Sequence, residues 1–305
     1  MGLKNKSITS ALEISKQDAL KIFQLADKIK MGKVPKLRGK IALLFFEPST
    51  RTFFSFYSAA LLTGLTPIGF QSIEGTSVKK GESLIDTVRM FLGYGADCIV
   101  MRHPRAGAPL YIAERIDKPV INAGDDSREH PTQGLLDVYT IRERFGKIDG
   151  LRIGILGDLR YGRTPSSLAY LLSHWDTELV FIAPPLLQID KRNDGMEMIL
   201  RERDVKYEKR EEVRVEDLDV LYVTRIQRER FPDEREYLKV RGAYRITREL
   251  LNRAKKDMIV MHPLPRVDEL SPEVDRDERA WYFRQAENGL YVRAALFSLI
   301  LGGWK

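Results

Sequence analysis

The sequence predicts an α/β protein of two domains, each a parallel sheet flanked by helices. Short continuous apolar runs, the first at 41–46, alternate with stretches of helical period, the pattern of strands covered on both faces and joined by crossover helices. That pattern breaks at 146–150 and restarts with a strand at 151–156, which marks a junction between two halves. The loops that leave the predicted strands carry arginine, hydroxyl and histidine side chains, and open parallel sheets bind ligands at those strand ends.

In chain order, Ser15-Lys16-Gln17-Asp18 reads as a capping box opening a helix with Ala19, Leu20, Ile22, Phe23, Ala26 and Ile29 on one face. The stretch 40–62, KIALLFFEPSTRTFFSFYSAALL, joins the buried strand 41–46 to a helix through Pro48, Ser49, Thr50, Arg51 and Thr52. Backbone N–H groups at a helix start lack partners and the macrodipole there is positive. Three hydroxyls and a guanidinium at that place therefore suit a phosphate or carboxylate. A lone serine or threonine would read as an ordinary N-cap; the intact Ser-Thr-Arg-Thr directly after a buried strand reads as an anion site. Residues 71–83, QSIEGTSVKKGES, are polar and aperiodic and predict a mobile loop without an apolar anchor. A helix at 84–91 leads to a strand at 96–101 that stops at Arg102-His103-Pro104. A short strand at 119–122 ends in Ala123-Gly124-Asp125-Asp126, and His130-Pro131-Thr132-Gln133 opens a helix at 134–144.

The second half begins with the strand 151–156 and a further anion-type loop, GDLRYGRTP at 157–165, before a helix at 166–173. Strands at 178–182, 220–223 and 258–261 and a helix at 196–203 continue the alternation. Thr224-Arg225-Ile226-Gln227 follows one strand and His262-Pro263-Leu264-Pro265-Arg266 another, and an amphipathic helix at 290–301 closes the chain.

At 305 residues and 43% hydrophobic composition the chain can bury two cores. The formal charge of +7 comes from 50 Lys+Arg and 43 Asp+Glu that are interspersed along the chain. Without basic blocks, this surplus points to a small, multiply anionic substrate and away from nucleic acid. The single cysteine, Cys98, lies in an apolar run and reads as an inert buried thiol in a reducing compartment. The start has no secretory h-region and the most apolar terminal run, 294–301, is too short to cross a bilayer, so the expectation is a cytoplasmic protein that engages no membrane.

Sorted by half, Arg51 and Arg102 stand with the hydroxyls of Ser49, Thr50 and Thr52 and with His130; Arg163, Arg225 and Gln227 belong to the second half. One half is equipped for a phosphate and the other for carboxylates, which suggests transfer between two anionic ligands. Taken singly, Arg102 also reads as a strand-end ion pair, His130 as a helix cap, and Arg163 and Arg225 as solvated charges. A nicotinamide-binding alternative rests on Gly154-Ile155-Leu156-Gly157, which lacks the G-x-G-x-x-G spacing. His103, His174 and His262 read as structural, and no cluster has metal-ligand spacing.

FEPSTRT at 46–52, SVKKGES at 77–83, VMRHP at 100–104, HPTQ at 130–133, GDLRYGRT at 157–164, TRIQRER at 224–230 and HPLPR at 262–266 together resemble the catalytic chains of the aspartate/ornithine carbamoyltransferase family, nearly end to end. Arg-x-Gln and His-Pro-Leu-Pro-Arg resemble the aspartate-specific members; Thr132 and Pro263 stand where an ornithine enzyme is expected to carry cysteines. The resemblance implies a carbamoyl phosphate-binding domain over 1–134, with a C-terminal helix, 287–305, packing back on it, and an aspartate-binding domain over 135–286. It implies transfer of the carbamoyl group to the α-amine of L-aspartate, an early step of de novo pyrimidine biosynthesis, with another acceptor such as ornithine as the alternative. Ser49, Thr50, Arg51, Thr52 and Arg102 would hold the phosphate, and Thr52, Arg102 and His130 would polarise the carbonyl oxygen. Gln133 would meet the carbamoyl nitrogen. Arg163, Arg225 and Gln227 would bind the aspartate carboxylates, and the carbonyls of Pro263 and Leu264 would orient the carbamoyl group and amine. Ser77 and Lys80 would enter from a neighbouring subunit of a homotrimer, with or without a separate regulatory chain, and Glu47 would make closure contacts with Arg163 or Arg230. No cofactor and no metal is implied.

Overall fold

The computed structural model describes residues 2–189, 194–228, 231 and 233–302. They divide into two compact units, 1–136 with 287–305, and 137–286.

In the first unit, α1 (Lys16–Lys30) starts at Ser15, whose hydroxyl accepts the Asp18 N–H, and it buries Ala19, Ile22, Phe23, Leu25, Ala26 and Ile29 on one face. Then β1 (Lys40–Phe45), α2 (Thr50–Thr63), β2 (Thr66–Phe70), α3 (Leu84–Gly93), β3 (Ala96–His103), α4 (Ala108–Ala113) and β4 (Val120–Asp125) follow, and α5 (Pro131–Phe145) starts in this unit and continues from Asp137 in the second. All pairings are parallel and the order is β2-β1-β3-β4. The apolar strands β1 and β3 lie inside, and the core packs Ala42, Leu44, Ile99 and Met101 against Val88 and Ile112. Edge strand β2 was not legible as a strand: Thr66–Phe70 is half-exposed and holds Pro67 and Gly69, both poor strand signals that an edge tolerates. Gly69 is required there, because a Cβ would stand 2.1 Å from the Leu43 carbonyl oxygen.

The segment 71–83 corrects one expectation. It has apolar anchors, since Ile73 and Val78 pack against the core, and it forms a 3-10 turn at Ser77–Lys80.

In the second unit β5 (Arg152–Leu156), α6 (Arg163–Leu172), β6 (Glu178–Ile182), α7 (Asp194–Glu202), β7 (Lys206–Arg210), β8 (Val220–Val223), α8 (Glu234–Val240), α9 (Arg248–Leu251) and β9 (Ile259–Met261) build a parallel sheet of order β7-β6-β5-β8-β9. Its core gathers Leu156, Ile182, Leu221, Val223, Met258 and Val260. The missed strand here, β7, is again an edge, Lys-Tyr-Glu-Lys-Arg, carried by pairing to β6 and by ion pairs of Arg210 with Glu208 and Asp217.

The closing helix α10 (Tyr282–Ile300) is longer than the 290–301 expected from periodicity. Gly289 and polar neighbours hide its first turns, yet the glycine has a reason: a Cβ would lie 2.6 Å from Arg293 Nη1 and 3.2 Å from Ser55 Oγ. Within the first unit α10 braces α2, through Arg293 Nη1 donating to Ser55 Oγ at 2.5 Å and Phe297 against Phe56 at 5.8 Å. Among the described residues no helix is long and apolar enough to cross a membrane, and no cluster of His, Cys, Asp or Glu is arranged to hold a metal ion. Cys98 is fully buried on β3; burial, reinforced by Asp97, pushes its thiol far up, so it stays protonated and inert.

Candidate active site

In the first unit the candidate residues gather at the carboxyl ends of adjacent strands. Ser49 is the N-cap of α2 by position, with extended backbone, but its side chain caps no helix N–H. The capping reading therefore leaves its hydroxyl unexplained. Thr50, Arg51 and Thr52 form the first turn, with Thr50 and Arg51 exposed and Thr52 buried. Arg102 pairs in register with Phe45 at the end of β3, so its guanidinium leaves the sheet beside the strand that feeds α2. It is 8% exposed, its Nη2 donates to Glu47 Oε1 at 2.7 Å, and its Nη1 lies 3.5 Å from the Ala123 carbonyl oxygen. Glu47 is thus engaged with Arg102, and Arg230, its other expected partner besides Arg163, lies outside the described residues.

His130 immediately precedes Pro131, the first residue of α5, and its carbonyl accepts the N–H groups of Gln133 (2.9 Å) and Gly134 (3.2 Å). The imidazole is buried with Nε2 3.4 Å from Thr52 Oγ1. Gln133 lies buried in the same first turn. The loop that delivers His130 is held by two acids that sequence reasoning did not single out as site residues. Asp125 is fully buried and accepts from Asn122 Nδ2 (2.8 Å), Gly107 N (2.7 Å) and Glu129 N (3.3 Å). Glu129 reaches the other way, accepting from Ser10 Oγ and Ala11 N, each at 2.6 Å. Burial pushes its carboxyl up to about 6 against the pull of those two donors. Ser77 and Lys80 are exposed on their separate turn, where Lys79 makes the ion pair, with Glu74.

In the second unit β5, β8 and β9 are neighbours and three loops leave their ends. Gly157 has φ +122°, and a Cβ there would stand 2.2 Å from the Thr224 carbonyl oxygen, so only glycine lets the first two loops lie this close. Buried Asp158 links them: its N–H donates to Thr224 Oγ1 (3.1 Å), its carboxylate accepts from Tyr161 N (2.9 Å), and Gln227 N lies 3.5 Å from Oδ2. Arg163 is the first residue of α6 and is buried, while Arg225 and Gln227 are half-buried in the loop after β8. The third loop carries Pro263 and Leu264; Leu264 has φ +56° and precedes a cis proline.

Residues 6–143 match the family described as aspartate/ornithine carbamoyltransferase, carbamoyl-P binding domain, and residues 149–300 match its Asp/Orn binding domain. The chain belongs to the aspartate/ornithine carbamoyltransferase family. Within it, the aspartate carbamoyltransferase catalytic subunits of Thermococcus kodakarensis and Thermococcus onnurineus are 53% and 52% identical, each over 310 residues covering 99% of both chains. A crystal structure of aspartate transcarbamoylase from Trypanosoma cruzi in complex with carbamoyl phosphate and aspartate superposes with a TM-score of 0.91 at 39% identity, covering 98% of each chain. The catalytic subunit of M. Jannaschii aspartate transcarbamoylase gives 0.86 at 44% identity over 96% of this chain and 97% of that one.

Proposed function

We propose that the protein transfers the carbamoyl group of carbamoyl phosphate to the α-amine of L-aspartate, releasing N-carbamoyl-L-aspartate and phosphate, within pyrimidine biosynthesis. The observation that carries this reading is the convergence of the α2 first turn, Arg102 and the Thr52–His130 contact at the ends of neighbouring strands. Ser49, Thr50, Arg51, Thr52 and Arg102 bind the phosphate. Thr52, Arg102 and His130 donate to the carbamoyl oxygen, and Gln133 takes the carbamoyl nitrogen. In the second unit Arg163, Arg225 and Gln227 take the two carboxylates of aspartate, and the Pro263 and Leu264 carbonyls orient the reacting groups.

The neutral amine attacks the carbamoyl carbon, a tetrahedral oxyanion forms, and the C–O bond to phosphate breaks while phosphate accepts the amine proton. No protein nucleophile takes part. The site works by holding two mutually repelling anions in register and by aiming donors at the developing oxyanion. Arg102 Nη2 donates to Glu47 Oε1 at 2.7 Å, so a phosphate bound at Arg102 competes with that carboxylate for the guanidinium.

The chain acts as a homotrimer in which Ser77 and Lys80 of one protomer complete the anion site of the next. In support, Phe54, Leu61 and Leu62 on α2 and Met90 on α3 are exposed apolar side chains on the unit that carries those residues. The relatives are named catalytic subunits, which supports a separate regulatory chain as a further partner. Phosphate release measured with carbamoyl phosphate and a panel of amino acids tests the reaction. Turnover with aspartate to carbamoyl aspartate is expected; turnover with ornithine to citrulline, or none with aspartate, overturns it.

A further inference from the structure

The loop after β9 has a backbone that its own sequence does not favour. Leu264 sits at φ +56°, a region that side-chain-bearing residues disfavour and that persists only where surrounding contacts impose it. Those contacts come from His262 and Glu269. The Leu264 N–H donates to His262 Nδ1 at 2.8 Å; a backbone N–H has only a proton to offer, so Nδ1 accepts and the neutral ring carries its proton on Nε2. That Nε2 lies 2.8 Å from Glu269 Oε1, which accepts it. The Glu269 carboxylate also receives the Val267 N–H (3.3 and 3.2 Å to its two oxygens) and the Asp268 N–H (3.2 Å). Burial alone would raise this carboxyl, but the His262 bond and the backbone donors of its own turn hold it below the usual range.

The imidazole is 1% exposed on its side chain, and its own backbone N–H is fixed by Gln285 Oε1 at 2.8 Å. Gln285 Nε2 is in turn held by Asp137 Oδ1 at 2.6 Å, and Asp137 Oδ2 by the Tyr222 hydroxyl at 2.8 Å on β8. Glu269 stands on paired backbone as well, its carbonyl accepting Ile246 N at 2.8 Å. His262 is therefore a rigid post: one ring nitrogen sets the backbone at Leu264, and the other is locked in the required tautomer by a carboxylate that also fastens the loop's far end.

We propose that His262 and Glu269 are positioning residues for carbamoyl transfer, holding residues 263–264 in the backbone shape that presents their carbonyls to the reacting groups. This rests on the reading above in which those carbonyls orient the carbamoyl group and amine. The phosphate ligands all belong to the first unit, so loss of the post lowers kcat and leaves carbamoyl phosphate affinity nearly unchanged. Displacement of a positioning group by about 1 Å is enough for roughly a 10²-fold loss.

Three full-length variants test the proposal. His262→Phe keeps a ring but no acceptor, His262→Asn keeps an acceptor two residues before Leu264, as in an Asx turn, and Glu269→Asp keeps the charge but withdraws it from Nε2. For each, kcat, carbamoyl phosphate affinity by calorimetry and the unfolding temperature are measured beside the wild type. The expected results are a kcat loss of about 10²-fold for His262→Phe, recovery to within about 10-fold for His262→Asn, and a loss of about 10-fold for Glu269→Asp. Equal kcat for His262→Phe and His262→Asn overturns the proposal, as does a carbamoyl phosphate affinity that falls in parallel with kcat. If His262→Phe does not fold, unchanged kcat in Glu269→Asp overturns it. A wild type without carbamoyl aspartate synthesis refutes the reaction itself, separately from any variant.

Discussion

A single arginine and a single histidine carry most of the first unit's proposed chemistry, by different routes. Arg51 is the cation inside the anion turn of α2, so Arg51→Ala is expected to lose carbamoyl phosphate binding, with kcat/KM down by about 10² or more. Unchanged affinity by calorimetry would refute that role. His130 lies buried 3.4 Å from Thr52 Oγ1, and its proposed bond to the carbonyl oxygen strengthens only as charge develops. His130→Ala should then lower kcat by roughly 10² while substrate binding changes little; full kcat with only a stability loss would mark it as a cap. Its neighbour Glu129 makes a pH prediction. Burial raises this carboxyl from 4.5 to about 6, so the folded state binds the proton more tightly than the unfolded chain does. The resulting stabilisation, about 2 kcal/mol, is complete below pH 4.5 and is lost as pH rises through about 6. Denaturant titrations of wild type and Glu129→Gln across that window should differ by this slope, and parallel curves would exclude it.

At the level of elements, the second unit's loops depend on the close approach of the β5 and β8 ends. Gly157 at φ +122° stands against the Thr224 carbonyl, and Asp158 binds both loops. Gly157→Ala must open that contact, so it should cost about 2 kcal/mol or more in stability. It should also raise the aspartate KM through Arg225 and Gln227, with carbamoyl phosphate affinity retained. An alanine variant with wild-type stability and KM would show that the loops tolerate separation. The same elements explain the gaps in the sequence reading. Edge strands β2 and β7 bury only part of one face and so carry no apolar run, whereas β1, β3, β5 and β8 are covered and announce themselves.

For the molecule as an assembly, the proposed sharing of Lys80 makes a forecast for mixtures. Arg51→Ala and Lys80→Ala proteins should each be nearly inactive. A trimer containing both kinds has an interface where an intact Arg51 meets an intact Lys80 of a neighbouring protomer, so activity should return when the two proteins are dissociated and reassembled together. No recovery in verified hybrid trimers would mean that each chain completes its own site. The turn that carries Lys80 is anchored through Ile73 and Val78, which leaves the exposed Lys80 ammonium on a fixed base and favours a defined reach.

The sequence by itself determined the α/β class and the strand-end position of the candidate ligand loops, because a covered strand must be apolar and a ligand loop must carry its charges and hydroxyls in one short stretch. Ser49, Thr50, Arg51 and Thr52 are legible for that reason. Asp125, Asp158 and Glu269 are not: each acts on backbone donors, and nothing local distinguishes a carboxylate that will be buried on them from one that will be solvated. His262 read as an ordinary structural residue in sequence. Its partner Glu269 lies seven residues on and Gln285 twenty-three, and only the fold, which brings them together and excludes water, decides which nitrogen holds its proton.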